Sequence, residues 1–141
     1  MNLNTILREK GSVVFTTSPE NTLADVVASL VEHNCGSLVV CDEGQVVGII
    51  TERDILRACA ASDLPLATAR VDDIMTRHVF TGTIDDKISD VMRLMTDKRI
   101  RHLPVLEDGA LVGMISIGDV VRASHDLLVM ENHYLKHYLH S

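Results

Sequence analysis

Two segments of the chain place a hydroxyl side chain three residues before an aspartate, directly after an apolar run. One begins with Thr51 and ends with Asp54, and the other begins with Ser116 and ends with Asp119. A helix that starts at such a segment presents unpaired N–H groups and the positive end of its dipole, and both attract phosphate. The hydroxyl can donate to a phosphate oxygen, and the carboxylate can accept from the two hydroxyls of a ribose. Residue types and spacing are therefore suited to binding a nucleotide.

The same spacing also has a purely structural interpretation. A hydroxyl residue followed three positions later by a carboxylate is a capping box, which only begins a helix. Thr22 with Asp25, and Thr83 with Asp86, have this pattern and are interpreted as helix caps. For the two segments described above, the motif alone leaves both interpretations open.

The two segments are copies of one another within a longer internal repeat. When the chain is shifted by 65 positions, residues 14–27 align with 79–92, and residues 37–58 align with 102–123, without a gap. Most aligned residues that differ exchange one aliphatic side chain for another. A gapless match of this length predicts two copies of one structural unit.

Each copy is predicted to form a β-α-β-β-α unit. Strands are predicted over 13–16, 37–41 and 46–50, with copies over 78–81, 103–106 and 111–115. Helical spacing predicts the first helix from the apolar residues Leu23, Val26, Val27, Leu30 and Val31. A turn at Gly44 or Gly109 joins the last two strands, and the second helix is predicted to start at Glu52 or Ile117. The predicted fold class is therefore α+β.

The two β-α-β-β-α repeats are expected to pack sheet to sheet around a pseudo-twofold axis, because one copy alone buries too little surface. Residues 1–141 are expected to form one module. Its predicted parts are a first repeat over 8–60, a linker over 61–71, a second repeat over 72–125 and a C-terminal helix over 126–141. Short lead-in helices over 4–7 and 71–75 are expected to precede the two repeats.

The composition limits the classes of function. The net charge of −7 argues against nonspecific binding of nucleic acid, which needs a basic face. A small anionic ligand is compatible with it, since a few local cations suffice. Cys35, Cys41 and Cys59 are interpreted as buried free thiols of a reducing compartment. With no long apolar stretch in the sequence, a cytoplasmic protein without a membrane partner is expected.

The residues GIITERDILRA (48–58) and GMISIGDVVRA (113–123), with RHLPV (101–105), resemble a tandem pair of cystathionine-β-synthase (CBS) domains. The resemblance covers about residues 3–125 and suggests a stand-alone, bacterial-type regulatory protein. It implies a module that binds an adenine nucleotide (AMP, ADP, ATP or NAD) or S-adenosylmethionine in the clefts between the repeats. It also implies a homodimer.

The resemblance implies a role for several residues of the second repeat. Arg101 and His102 match positions that reach the phosphate, and Pro104 and the edge of Ile115 line the base pocket. Ile117 is expected to cover one face of the purine, and Gly118 lets the backbone come close. The expected nucleotide-binding residues are Thr51, Arg53, Asp54, Arg101, His102, Pro104, Ile115, Ser116, Ile117, Gly118 and Asp119.

The two copies differ in the charges near their aspartates. The first-repeat counterparts of Arg101 and His102 are Gly36 and Ser37, which carry no charge, and Arg53 compensates only in part. Asp119 is therefore predicted to mark the stronger of two unequal sites.

The C-terminal segment is predicted to form a helix with two possible uses. His133, His137 and His140 fall on one helical face, a spacing that can hold Zn²⁺ or Ni²⁺. The favoured alternative is packing against a partner subunit through the apolar residues Leu128, Leu135, Tyr138 and Leu139. No metal cofactor is expected.

The sequence contains no P-loop, no GxGxxG and no recognisable pairing of a nucleophile with a base, so an enzyme is not expected. The favoured function is a nucleotide sensor that signals to an unidentified effector protein by a shift between conformations. The alternative is a metal-responsive interaction protein that uses the C-terminal histidines.

Overall fold

The computed structural model describes residues 1–61, 63 and 65–139. The predicted α+β class is confirmed. The helices are α1 (Leu3–Lys10), α2 (Leu23–His33), α3 (Glu52–Ala61), α4 (Val71–Ile74), α5 (Ile88–Lys98) and α6 (Ile117–Leu139). The strands are β1 (Thr16–Thr17), β2 (Ser37–Asp42), β3 (Gln45–Thr51), β4 (His102–Glu107) and β5 (Ala110–Ser116).

The chain forms two compact units that do not follow its order in sequence. The first-repeat unit contains Val13–Phe80 and Asp108–Leu111. The second-repeat unit contains Met1–Ser12, Thr81–Glu107 and the chain from Val112 onwards. The helix α1, which precedes the first repeat in sequence, thus belongs to the second-repeat unit. The helix α4, which precedes the second repeat, belongs to the first-repeat unit.

In the first-repeat unit, β1, β2 and β3 form a three-stranded sheet in that order, with β1 parallel and β3 antiparallel to β2. The β2–β3 hairpin turns through Glu43 and Gly44, whose φ angles are both positive, at 49° and 78°. Two consecutive positive φ angles are typical of the tight turns that suit twisted hairpins. The predicted glycine turn is therefore present, and Asp108 and Gly109 repeat it between β4 and β5.

The strand predicted over 78–81 is wrong, because the second repeat has only the two-stranded sheet β4–β5. A single parallel bridge joins Gly82 to Val105. In the first repeat, the N–H of Val39 donates to the carbonyl of Phe15 at 3.3 Å. The 65-residue shift aligns Val39 with Pro104, which has no N–H to donate. The sheet hydrogen bond that extends the first strand therefore cannot form in the second repeat.

The core of the first-repeat unit is aliphatic. Its buried cluster comprises Leu23, Val26, Leu30, Leu38, Val40, Ile50, Ile55, Val71 and Met75. Of the residues that predicted α2, Val27 is half-buried and Val31 is 77% exposed. The helical spacing was therefore right, but the buried face is narrower than the apolar stripe.

The second-repeat unit buries one face of α1 together with its own helices and strands. Leu3 is fully buried, and Ile6 and Leu7 are nearly so. A Cβ added at Gly113 would lie 2.6 Å from Cδ2 of Leu7, so a larger residue there would require the side chain of Leu7 to shift. The backbone N–H groups of Leu3 and Asn4 donate to the carbonyls of Asp86 and Ile84, both at 3.0 Å.

Of the two interpreted helix caps, one is correct. Thr22 and Asp25 form a reciprocal capping box at the start of α2. Thr83 and Asp86 hydrogen-bond to each other, but α5 begins only at Ile88, after Lys87 in the cap position. The pair therefore closes a turn ahead of the helix.

The C-terminal region continues one helix where the sequence predicts two. The helix α6 runs without a break from Ile117 to Leu139.

The three cysteines are free, as expected, but none is buried, because Cys35 and Cys41 are half-exposed and Cys59 is exposed. Partial burial raises the pKa of the Cys41 thiol. No helix in the part of the chain described above is long and apolar enough to cross a membrane.

Candidate functional site

The segment from Thr51 to Asp54 joins the end of β3 to the start of α3. The backbone N–H and the hydroxyl of Thr51 donate to Oδ2 of Asp54, at 3.0 and 3.2 Å. In return, the N–H of Asp54 donates to Oγ1 of Thr51 at 3.2 Å. The N–H of Glu52 donates to the carbonyl of Gly36 at 3.1 Å. These bonds fix the carboxylate beside the first turn of α3.

The copy of this segment joins β5 to α6 with nearly the same geometry. The N–H of Ser116 donates to Oδ2 of Asp119 at 2.9 Å, and the N–H of Asp119 donates to Oγ of Ser116 at 3.1 Å. The N–H of Ile117 donates to the carbonyl of Arg101 at 2.8 Å. The capping-box interpretation is thus correct for both segments.

The two aspartates differ in the hydrogen-bond donor that comes from outside the capping box. In the first-repeat unit, Thr76 donates its N–H to the carbonyl of Ile49 at 2.9 Å and its hydroxyl to Oδ1 of Asp54 at 3.1 Å. The 65-residue shift aligns Ile49 with Met114. In the second-repeat unit, Nζ of Lys10 donates both to the carbonyl of Met114 at 2.8 Å and to Oδ2 of Asp119 at 2.7 Å. Corresponding contacts are therefore made by a neutral residue in one unit and by a cation in the other.

The charge of Lys10 changes the electrostatics of Asp119. The two side chains form a salt bridge in which Asp119 is 12% exposed and Lys10 is 35% exposed. Burial by itself raises the pKa of Asp119, but the hydrogen bonds and charge of Lys10 and the bonds from Ser116 outweigh it, so its pKa is lowered. The carboxylate is therefore held in its ionised form.

The sequence-predicted residues divide between the two units. Thr51, Arg53 and Asp54 lie in the first-repeat unit, and Arg101, His102, Pro104, Ile115, Ser116, Ile117, Gly118 and Asp119 lie in the second. Arg101 and Gly118 are exposed and His102 is half-buried. Pro104 is buried and Ile115 has no exposed surface. The backbone bond from Ile117 brings Arg101 next to the start of α6.

Lys10 is the residue that the sequence analysis missed. Together with Asp119 and Arg122 it lines a surface cavity of about 150 Å³ between α1 and α6. That volume is below the roughly 300 Å³ at which pockets for drug-sized ligands begin, so this cavity is too small for a nucleotide. No local motif marks Lys10, because its importance comes from packing between helices that are distant in sequence.

The histidine face predicted at the C-terminus is described only in part. His133 and His137 lie exposed on α6, while His140 lies outside the described residues. Within 1–61, 63 and 65–139, no group of three or more His, Cys, Asp or Glu side chains is placed to hold a metal ion.

Comparison with known proteins assigns the family. The family model described as CBS domain matches residues 11–61 and 71–126. The chain belongs to the CBS domain family. Pairs of CBS domains are regulatory modules.

Relatives of this CBS pair include longer proteins and solved structures of similar length. The mitochondrial CBS domain-containing protein CBSX3 of Arabidopsis thaliana is 45% identical over 118 residues, which are 80% of this chain and 57% of that relative. The chain therefore spans less than two thirds of that relative's length. The crystal structure of the CBS-domain containing protein ATU1752 from Agrobacterium tumefaciens matches with a TM-score of 0.84 and 37% identity, over 88% of this chain and 99% of that one.

Solved structures of similar proteins include complexes with adenosine ligands. The CBS domain pair of protein MJ0100, in complex with 5′-methylthioadenosine and S-adenosyl-L-methionine, matches with a TM-score of 0.77 and 29% identity. The match covers 87% of this chain and 98% of that chain.

Proposed function

We propose that this CBS pair binds an adenosine ligand of the AMP, ATP or NAD type at the starts of α3 and α6, and signals by a change of conformation. The observation that carries the proposal is the state of Asp119. Its carboxylate is ionised, is held by Ser116 and Lys10 through Oδ2, and receives no hydrogen bond at Oδ1 from any described residue. An ionised carboxylate with one open oxygen is a suitable acceptor for the hydroxyls of a ribose.

The two aspartates differ in how many of their carboxylate oxygens already accept a hydrogen bond. Both carboxylate oxygens of Asp54 already accept hydrogen bonds, from Thr51 and from Thr76. A ribose at Asp54 therefore has to compete with Thr76, whereas a ribose at Asp119 does not. This supports the sequence-based prediction that Asp119 marks the stronger site.

The remaining predicted residues complete the proposal. Arg101 is exposed beside the start of α6 and is assigned to the phosphate together with His102. Ile117 and Gly118 are assigned to the face of the purine. Pro104 and Ile115 are buried, so they are assigned to the layer that supports the base pocket.

A thermal-shift screen of the full chain against the four ligands AMP, ATP, NAD and S-adenosylmethionine, and against Zn²⁺, tests the proposal. A ligand at 100 times its Kd adds about 2.7 kcal/mol, which corresponds to a rise in Tm of roughly 5–10 °C at this size. Asp119→Asn should abolish most of that rise, because the amide replaces an ionised acceptor with a neutral group that also donates. Each variant is compared with its own ligand-free Tm, so a change in stability does not affect the result.

Asp25→Asn is the matched control for this screen. Asp25 sits in a capping box of the same kind at the start of α2 and is not assigned to the ligand, so its variant should keep the full response. A wild-type chain that responds to none of the four ligands contradicts the proposal. A response to Zn²⁺ alone would instead favour the alternative based on the C-terminal histidines, which no contact among the described residues favours.

The proposal also covers how the module acts. Binding favours one conformation, and an effector protein reads that conformation, so the chain itself performs no reaction. A cytoplasmic location stays a prediction from the sequence. We propose a homodimer as the working assembly, formed through the exposed apolar residues of α6.

A further inference from the structure

We infer that Lys10 is a specificity-determining residue, which makes the site at Asp119 select adenosine ligands with an anionic 5′ group over those with a neutral one. The inference rests on the proposed function, and it adds the charge class of the ligand. The observation behind it is that corresponding contacts are made by different residues in the two units. Lys10 contacts Asp119 with a positive charge, whereas Thr76 contacts Asp54 without one.

The ammonium group of Lys10 is held in a fixed position. Nζ donates to two acceptors, the carbonyl of Met114 and Oδ2 of Asp119, and α1 is anchored by the buried side chains of Leu3 and Leu7. The positive charge is therefore a built part of the second-repeat unit.

A carboxylate that binds the hydroxyls of a ribose also repels a negatively charged group attached to the 5′ carbon of that ribose. The 5′ group of adenosine is attached to the same sugar ring whose hydroxyls the carboxylate accepts, so a 5′ phosphate comes close to the negative charge. Two like charges about 6 Å apart repel by roughly 0.7–3 kcal/mol, depending on how much water screens them. A lysine paired with the carboxylate cancels most of this repulsion.

The other charged side chains near this pair leave the argument unchanged. Glu9, Arg122 and Asp126 line the same cavity as Lys10 and Asp119. The formal charges of these five side chains sum to −1, and without Lys10 the remaining four sum to −2. Among the described residues, the side chain of Asp54 accepts hydrogen bonds only from the neutral residues Thr51 and Thr76, so its carboxylate has no hydrogen-bonded cation corresponding to Lys10.

Lys10→Gln separates charge from hydrogen bonding, because glutamine can still donate but carries no charge. The experiment is isothermal titration calorimetry with AMP and with its uncharged relative 5′-methylthioadenosine, on the full chain carrying Asp54→Asn to silence the first site. We expect Lys10→Gln to lower the affinity for AMP about tenfold, which corresponds to about 1.4 kcal/mol of binding free energy. The affinity for 5′-methylthioadenosine should change less than twofold. Lys10→Arg, which keeps the charge, should preserve the preference for AMP.

The outcomes separate this inference from the proposed function. If AMP and 5′-methylthioadenosine both bind, and Lys10→Gln weakens them equally or leaves both unchanged, the inference is overturned while the proposed function stands. If neither ligand binds, the inference is overturned, and the proposed function is overturned with it only when ATP, NAD and S-adenosylmethionine also give no response in the thermal-shift screen. Because Lys10→Gln can also loosen α1, the Tm of each variant is measured, and Lys10→Arg provides a second, charge-preserving variant for the comparison.

Discussion

At the scale of single residues, the properties of a carboxylate in a capping box depend on its hydrogen-bond partner from outside the box. Asp54 and Asp119 share the reciprocal bonds of the box, but Thr76 completes the first and Lys10 completes the second. The shared part follows from the local sequence, since a segment of four residues suffices to form it. The partner outside the box comes from a distant segment, so no motif could have predicted the asymmetry on which the proposed ligand preference depends.

The lowered pKa of Asp119 predicts how the stability of the protein depends on pH. Burial opposes the shift, and the bonds with Lys10 and Ser116 outweigh it, so the folded pKa lies below the unfolded value of about 3.9. Such a group contributes stability above the unfolded pKa and loses it as the pH falls through the folded pKa. Asp119→Asn should therefore lower the free energy of unfolding by about 1 kcal/mol at pH 7 and by less at pH 3.

Urea unfolding of the wild type and of Asp119→Asn at these two pH values measures the difference directly. Lys10→Gln should reproduce the same trend, because it removes the principal partner of the carboxylate. An equal loss of stability at pH 7 and at pH 3 in both variants would mean that ionisation of Asp119 contributes nothing to folding.

At the scale of helices and strands, the repeat in the sequence predicted most of the architecture. It predicted the hairpins and the starts of α3 and α6, since hydrophobic runs and glycine turns are local signals. It failed where the copies differ chemically. Pro104 removes a sheet hydrogen bond that Val39 makes, and Lys87 rather than Thr83 aligns with the cap residue Thr22. Both differences follow from the alignment of the two repeats when the hydrogen-bonding groups of each aligned residue are compared.

The sequence could not assign α1 to a unit, because an apolar stripe indicates that one face is buried but not what covers it. The structure places α1 with the second repeat, where Leu3 is fully buried. Leu3→Ala should therefore lower the free energy of unfolding by about 2–5 kcal/mol. Leu56→Ala, in the exposed face of α3, is the matched control and should change it by less than about 0.5 kcal/mol. Circular dichroism during urea unfolding compares the two, and equal effects would show that α1 is not part of the folded core.

At the scale of the whole molecule, the end of α6 is the least explained part of the chain. Every residue from 125 to 139 is exposed, and this stretch includes the large apolar side chains Leu127, Leu128, Val129, Met130, Tyr134, Leu135, Tyr138 and Leu139. A helical segment of about 15 residues is only marginally stable in water without packing. Exposed apolar surface of this extent marks an interaction site.

A second copy of the chain is the proposed occupant, and the helix offers a matched test. Leu128 and Leu135 are two turns apart and lie on one face, whereas His133 lies on the other side. Leu135→Glu should convert a dimer to a monomer, because it places a charge in the apolar contact. His133→Glu adds the same charge outside that contact and should leave the dimer intact. Sedimentation velocity at micromolar concentrations distinguishes the two states. A wild-type monomer, or equal disruption by both substitutions, would exclude this face as the dimer contact.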